Sequence, residues 1–116
     1  MARYIESHWA WCEQIAWAVK ASGSRDIDAD LSARIALAKV HGGRLLELCA
    51  REAQQIFGGN AISKGGVGGR VEQIVRDMRV SIVGGGSEEV ITDLSVRQEE
   101  QATQRKMKKL RASSKI

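Results

Sequence analysis

Two glycine clusters, each flanked by polar side chains at a helix end, are where chemistry could sit in this chain. The first is Gln55-Ile56-Phe57-Gly58-Gly59, where a long helical pattern runs into a double glycine and stops. Gln55 stands one turn before the glycines with an amide that both donates and accepts. Bare backbone at Gly58 and Gly59 permits close approach by a phosphate or a ring. The second cluster is Gly84-Gly85-Gly86, followed by Ser87-Glu88-Glu89. There the Ser87 hydroxyl suits a helix cap and the backbone amides of a helix start favour an anion, although Glu88 and Glu89 oppose a second negative charge. On composition alone both clusters read as turns, with a ligand contact as the alternative.

Other residue types with chemical reach are arranged less productively. No Walker-type phosphate loop is present, since Ser63 rather than glycine precedes Lys64. The glycines at 66, 68 and 69 follow a loop rather than a strand and lack the third glycine of the dinucleotide fingerprint. His8 and His41 stand alone on helical stretches with no carboxylate or cysteine at ligand spacing, which makes them packing or surface residues and leaves no metal site. Cys12 and Cys49 lie in apolar helical pattern without the paired spacing of a metal or redox motif, and are expected as buried reduced thiols. Trp9, Trp11 and Trp17 share one helix, where such a group belongs to core and interface more often than to a ring-stacking site.

The elements that position these residues are helical. No proline occurs in 116 residues, so nothing forbids long uninterrupted helices, and the length suits one domain. From Ala2 to Ala21, Ile5, Trp9, Cys12, Ala16 and Val19 form one apolar stripe and Tyr4, His8, Trp11 and Ile15 a second. Two stripes and a narrow polar strip predict a helix covered on more than one side. No capping residue precedes Arg3, so the helix is expected to have begun further upstream. A break follows over Ser22 to Asp30, with Asp28 or Asp30 available as the next cap. A second helix of about 27 residues then carries Ile35, Ala38, Gly42, Leu45, Cys49, Ala53 and Ile56 as its stripe. Gly42 and Gly43 within it each cost about 1 kcal/mol against alanine, which either reflects close approach of a neighbour or is simply tolerated. Residues 58–69, with six glycines, read as a mobile loop. A short helix with Val71, Ile74, Val75 and Met78 follows, then one opened by Ser87 with Val90, Ile91 and Leu94 facing inward.

Charge divides the chain at residue 100. The net charge of +4 comes from residues 101–116, which hold six basic residues and no acidic one, leaving −2 over residues 1–100. That segment is expected as a solvated, flexible tail, and a nucleic-acid surface on the body is not supported. No apolar run reaches the roughly 20 residues of a membrane span, and no secretory leader is recognisable, which points to a soluble intracellular protein. The last three residues, Ser114-Lys115-Ile116, are similar to the peroxisomal address S-K-L; mitochondrial and cytoplasmic locations stay open.

Three ordered segments carry a family resemblance: Gln55-Ile56-Phe57-Gly58-Gly59-Asn60, then Val71-Glu72-Gln73-Ile74-Val75-Arg76-Asp77-Met78-Arg79-Val80, then Gly84-Gly85-Gly86-Ser87-Glu88-Glu89-Val90. They resemble QIFGG, VERIYRDAR and YEGTSEI of the acyl-CoA dehydrogenase C-terminal domain, and the likeness covers roughly residues 1–97. The resemblance implies an all-α, antiparallel four-helix bundle over residues 1–100 that forms a subunit interface in a homo-oligomer. It implies FAD as cofactor, with Gln55, Ile56, Phe57, Gly58 and Gly59 touching the flavin of a neighbouring subunit and Ser87 and Glu89 lying against its adenosine diphosphate half. Gly86 takes the backbone position near the acyl-CoA thioester. The reaction implied is α,β-dehydrogenation of an acyl-CoA in fatty acid oxidation, a glutamate removing the α-proton as the β-hydride passes to the flavin.

The chain departs from the pattern where that glutamate stands, because Gly85 occupies its position and has no side chain to act as base. No catalytic residue is therefore assigned. Some branches of the family carry the base on an earlier helix, which would lie upstream of Met1. The first loop is also about three residues longer than the family's. The expectation is the C-terminal part of a flavin-dependent acyl-CoA dehydrogenase, inactive alone. The alternative is a non-catalytic dimerisation or interaction module whose basic tail binds an acidic partner.

Overall fold

The computed structural model describes residues 1–23 and 29–113, and over them the chain has four α-helices, one 3₁₀ turn and no strand. Helix α1 is Ala2–Ala21, α2 Ala29–Phe57, α3 Gly69–Val83 and α4 Glu88–Ser113, with the 3₁₀ turn at Gly58–Ile62. The all-α class read from periodicity and the lack of proline is the class the chain adopts. Asp28 as a cap, the Asp30 side chain and Ser114-Lys115-Ile116 lie outside the described residues. No described helix is long and apolar enough to cross a membrane.

Helix α2 is the spine, 29 residues long and therefore about 43 Å from end to end. Each of the other helices packs on it. Arg79 pairs with Glu47 at 2.9 Å and Lys39 reaches the carbonyl of Ile82, so α3 runs antiparallel to α2 along its C-terminal half. Glu88 pairs with Arg44 and Ser95 bonds to Ala33, so α4 runs antiparallel to α2 along its N-terminal half. Helices α3 and α4 thus occupy successive stretches of α2, and the molecule is elongated, 72 × 24 × 23 Å.

Small residues fill the contacts. The buried apolar side chains among the described residues are Ala33, Ala36, Ala38, Ala50, Ala61, Ala102 and Ile82, and no large one is fully buried. Short side chains let backbones approach, and Ser95 Oγ donates to the Ala33 carbonyl of the facing helix at 3.2 Å. This corrects the expected stripe of α4. Val90 is exposed and Leu94 largely so, while Ile91, Ser95, Gln98 and Ala102, at helical spacing, are the covered positions. The same closeness decides between the two readings of the α2 glycines. A Cβ on Gly42 would stand 3.0 Å from the His8 ring of α1, and one on Gly43 would stand 3.4 Å from Ile82 of α3. Close approach on two sides is what they permit.

Four other expectations change. Helix α1 has no fully buried residue and meets α2 but no second helix extensively: His8, Trp11 and Ile15 of its second stripe are half-buried, while Ile5, Trp9 and Ala16 of the first are exposed within this chain. Trp9 and Trp17 are accordingly exposed rather than core, at 64% and 72%. Cys12 and Cys49 are free thiols, half-buried rather than buried. Residues 58–62 form a 3₁₀ turn in place of open loop, held because Ala61 is completely buried against the end of α2 and the start of α3. The charge boundary at residue 100 coincides with no break in structure, since α4 continues to Ser113 with Ala102 buried.

Candidate functional site

The first cluster sits where α2 ends. Its last turn presents Gln55, Ile56 and Phe57 to solvent, with Ile56 at 72% exposure. Gly58 follows at φ +55, a left-handed conformation that glycine adopts without cost and that turns the chain out of the helix. Nothing lies within 4 Å of a Cβ built at Gly58 or Gly59, so bare backbone faces open space. Beside it, Arg51, Gln54, Gln55, Gly58 and Ile62 line a groove of about 330 Å³. Two amides, a guanidinium and an uncovered main chain are donors suited to an anionic or heterocyclic ligand lying across the surface. Further along, the backbone closes on itself. Gly68 is buried against the Asn60 carbonyl, and a Cβ there would also stand 2.7 Å from Ala61 N.

The second cluster is the turn from α3 to α4. The Gly84 and Gly86 amides donate to Val80 and Val83 carbonyls, at 2.9 and 3.0 Å, and close the end of α3. Gly85 at φ +77 and Gly86 at φ +125 need glycine for their backbone alone. Gly86 also needs it for space, with Ile91 Cδ1 at 2.8 Å from a built Cβ, whereas Gly85 has nothing within 4 Å. Ser87 then leads into α4, its carbonyl accepting from the Ile91 amide at 3.0 Å. The Glu89 carboxyl is held below the ordinary carboxylate range by a bond from its own backbone amide and by the Ser87 hydroxyl. Glu88 is lowered as well, first by its hydrogen bond from Arg44, whose Nε stands 2.8 Å from the Glu88 carboxylate.

The two clusters are not brought together. Gly86 lies against Lys39, and Gln55 is sixteen residues further along α2, an axial rise of about 24 Å. Helix α3 spans the interval. Within one chain, Gln55–Gly59 and Ser87–Glu89 therefore belong to separate edges of the surface.

Residues missed by motif reading join the picture. Lys39, Arg44 and the Arg79–Glu47 pair tie the turn and α3 to α2, and the one available signal was a lysine inside the apolar run Ile35–Val40. His8 and His41, expected to stand apart, face each other with Nδ1 atoms 3.0 Å apart. Cys12 Sγ is 3.6 Å from His8 Nε2, one helical turn on, a spacing that the sequence did contain. Trp11 stacks at a tilt over His41. Burial first, then the neighbouring His41, lowers the pKa of His8. The described residues hold no group of three or more His, Cys, Asp or Glu placed to bind a metal ion.

Comparison with known proteins adds an independent line. The acyl-CoA dehydrogenase C-terminal domain model matches residues 1–100. The chain is 51% identical over 65 residues to acyl-CoA dehydrogenase AFT10-1 of Alternaria alternata, covering 56% of this chain and 15% of that one. It is 37% identical over 94 residues to acyl-CoA dehydrogenase apdG of Emericella nidulans, covering 81% of this chain and 22% of that one. The chain thus spans less than a quarter of the length of these curated relatives. No solved structure matches.

Proposed function

Because this chain belongs to the acyl-CoA dehydrogenases through their C-terminal domain, we propose that it supplies the helical, cofactor-contacting part of a flavin-dependent dehydrogenation of an acyl-CoA thioester. The observation that carries the reading is the open groove at the end of α2. Arg51, Gln54 and Gln55 surround uncovered backbone at Gly58, a surface that fits one edge of FAD and is too shallow to enclose it. Gln55 to Gly59 are assigned to a flavin held by a neighbouring subunit, in a homo-oligomer. Ser87 and Glu89 are assigned to the adenosine diphosphate half, and the Gly86 backbone to the thioester.

Bound FAD would supply the acceptor for the β-hydride. This chain's residues would orient the cofactor and the thioester and exclude water between them. At Gly85 no side chain can take the α-proton, so the chain is not competent alone in this reading.

A chimaera tests the assignment, with this chain replacing the matching stretch of the Alternaria alternata relative. FAD is expected to stay bound, and Gln55→Ala to weaken its retention about tenfold, as loss of one ligand hydrogen bond does. Retention unchanged by Gln55→Ala and Ser87→Ala together would sink it. Separately, FAD mixed with the isolated chain should keep the visible absorbance of oxidised flavin when acyl-CoA is added. Bleaching by any acyl-CoA overturns the claim of incompetence.

A second reading has its own observation. Arg105, Lys108 and Lys109 are exposed on the last turns of α4, which run past the first turn of α2. As an interaction module the chain would use them on an acidic partner, and salt-insensitive binding, or binding unaffected by deleting residues 101–116, would exclude it. A peroxisomal location through Ser114-Lys115-Ile116 is proposed too; a reporter ending in residues 105–116 that stays cytosolic refutes it.

A further inference from the structure

The turn that carries Gly85 and Gly86 should be the least determined part of this fold. Three consecutive glycines lose more backbone entropy on ordering than any other residue type, and two of them sit at positive φ. The residue that spans the turn comes from another helix. Lys39, half-buried on α2, donates from Nζ to the carbonyl of Ile82 and to the carbonyl of Gly86, both at 2.6 Å. Ile82 lies in the last turn of α3, where carbonyls lack helical partners and the helix dipole places negative charge. Gly86 lies on the far side of the bend. One ammonium therefore joins both ends of the glycine run, at short distances expected of charge-assisted bonds. Arg44, five residues along α2, holds Glu88 just beyond.

We propose that Lys39 is a positioning residue for this turn: by bonding across Gly84 and Gly85 it sets the direction of the Gly86 backbone and of Ser87 and Glu89 behind it. Its bearing on thioester and cofactor rests on the proposed function; the bridge across the turn does not. A neutral side chain of similar length removes both bonds and leaves two carbonyls to find water, while arginine keeps charge and donors. The Gly84, Gly86 and Ile91 amides, whose acceptors are internal, report the state of the turn directly.

Hydrogen exchange on the full chain tests this with Lys39→Met and Lys39→Arg, after circular dichroism has established that each is helical. In Lys39→Met, exchange at Gly84, Gly86 and Ile91 should accelerate about tenfold, with amides of Cys49–Phe57 unchanged and Lys39→Arg restoring most of the protection. Unchanged exchange in the turn overturns the proposal. Uniform acceleration across all helices, or an unfolded Lys39→Met with Lys39→Arg equally affected, assigns Lys39 to general stability and overturns it as well. In the chimaera, Lys39→Met should also weaken FAD retention. If exchange responds and retention does not, the cofactor reading fails while the positioning role stands.

Discussion

The glycine cluster after α2 and the cluster before α4 look alike in sequence and are held by different means. In the first, main chain meets main chain. Gly68 is pressed against the Asn60 carbonyl, Ala61 is fully buried, and the turn is organised by the contact of one backbone stretch with another. In the second, side chains of α2 reach out to the turn: Lys39 to two carbonyls and Arg44 to Glu88. Glycine is needed in the first for the sign of φ at Gly58 and for lack of room at Gly68; in the second it is needed for the sign of φ at Gly85 and Gly86, with room short at Gly86 as well. A turn held by backbone packing tolerates little, while one held by long polar side chains responds to charge, pH and substitution at a distance.

Substitutions can break or sharpen that contrast. The largest effect is expected at Gly68→Ala, where a methyl group must displace main chain; we expect a loss of about 3 kcal/mol, read from urea unfolding. Next is Gly86→Ala, at about 2 kcal/mol, since strain at φ +125 adds to the approach of Ile91. Combining it with Ile91→Val should recover only part of the steric cost, since valine keeps the γ carbon that lies 3.0 Å away, and should leave the backbone strain. Gly85→Glu, which places a carboxylate where the family motif has one, should cost about 1 kcal/mol, because its Cβ meets open space and only φ opposes it. If Gly68→Ala proved as mild as Gly85→Glu, the distinction between the clusters would be lost.

The smallest effect is a pH dependence confined to the second cluster. Glu88 and Glu89 are both held below the ordinary carboxylate pKa of 4.5 in the fold. Their contribution is present above 4.5 and is lost as pH falls from there through the folded-state values, the unfolded chain binding more protons over that range. The thermal midpoint should drop less between pH 5 and pH 3, roughly the range in which carboxylates titrate, in Glu88→Gln than in the unsubstituted chain. Equal drops would mean that the Arg44 contact stabilises nothing.

How much of this was legible beforehand depended on residue type. Helical class, the length of α2, and the helix ends at Phe57 and near Ser87 followed from periodicity and punctuation, because glycine runs and apolar spacing act locally. The motif stretches fall at helix ends and turns for the same reason. The contacting face of α4 was not legible, since Ser95 and Gln98 are polar, Ala102 is small, and all three are covered only because the helices pack closely. Nor was the exposure of Trp9 and Trp17, whose spacing promises burial whether or not a neighbour exists to supply it.

What sequence order settles here is local: which stretches are helical, where they stop, which turns demand glycine, and that no carboxylate stands at position 85. The pairings of Lys39 with Gly86 across 47 positions and of His8 with His41 across 33 arise from how helices lie against α2. A lysine or histidine has the same local propensity whatever it will later touch. Whether Gly42 and Gly43 are defects or points of contact was decided likewise by the arrival of His8 and Ile82. Periodicity tells a helix which face to bury, but the distance between two axes is set by the side chains of both.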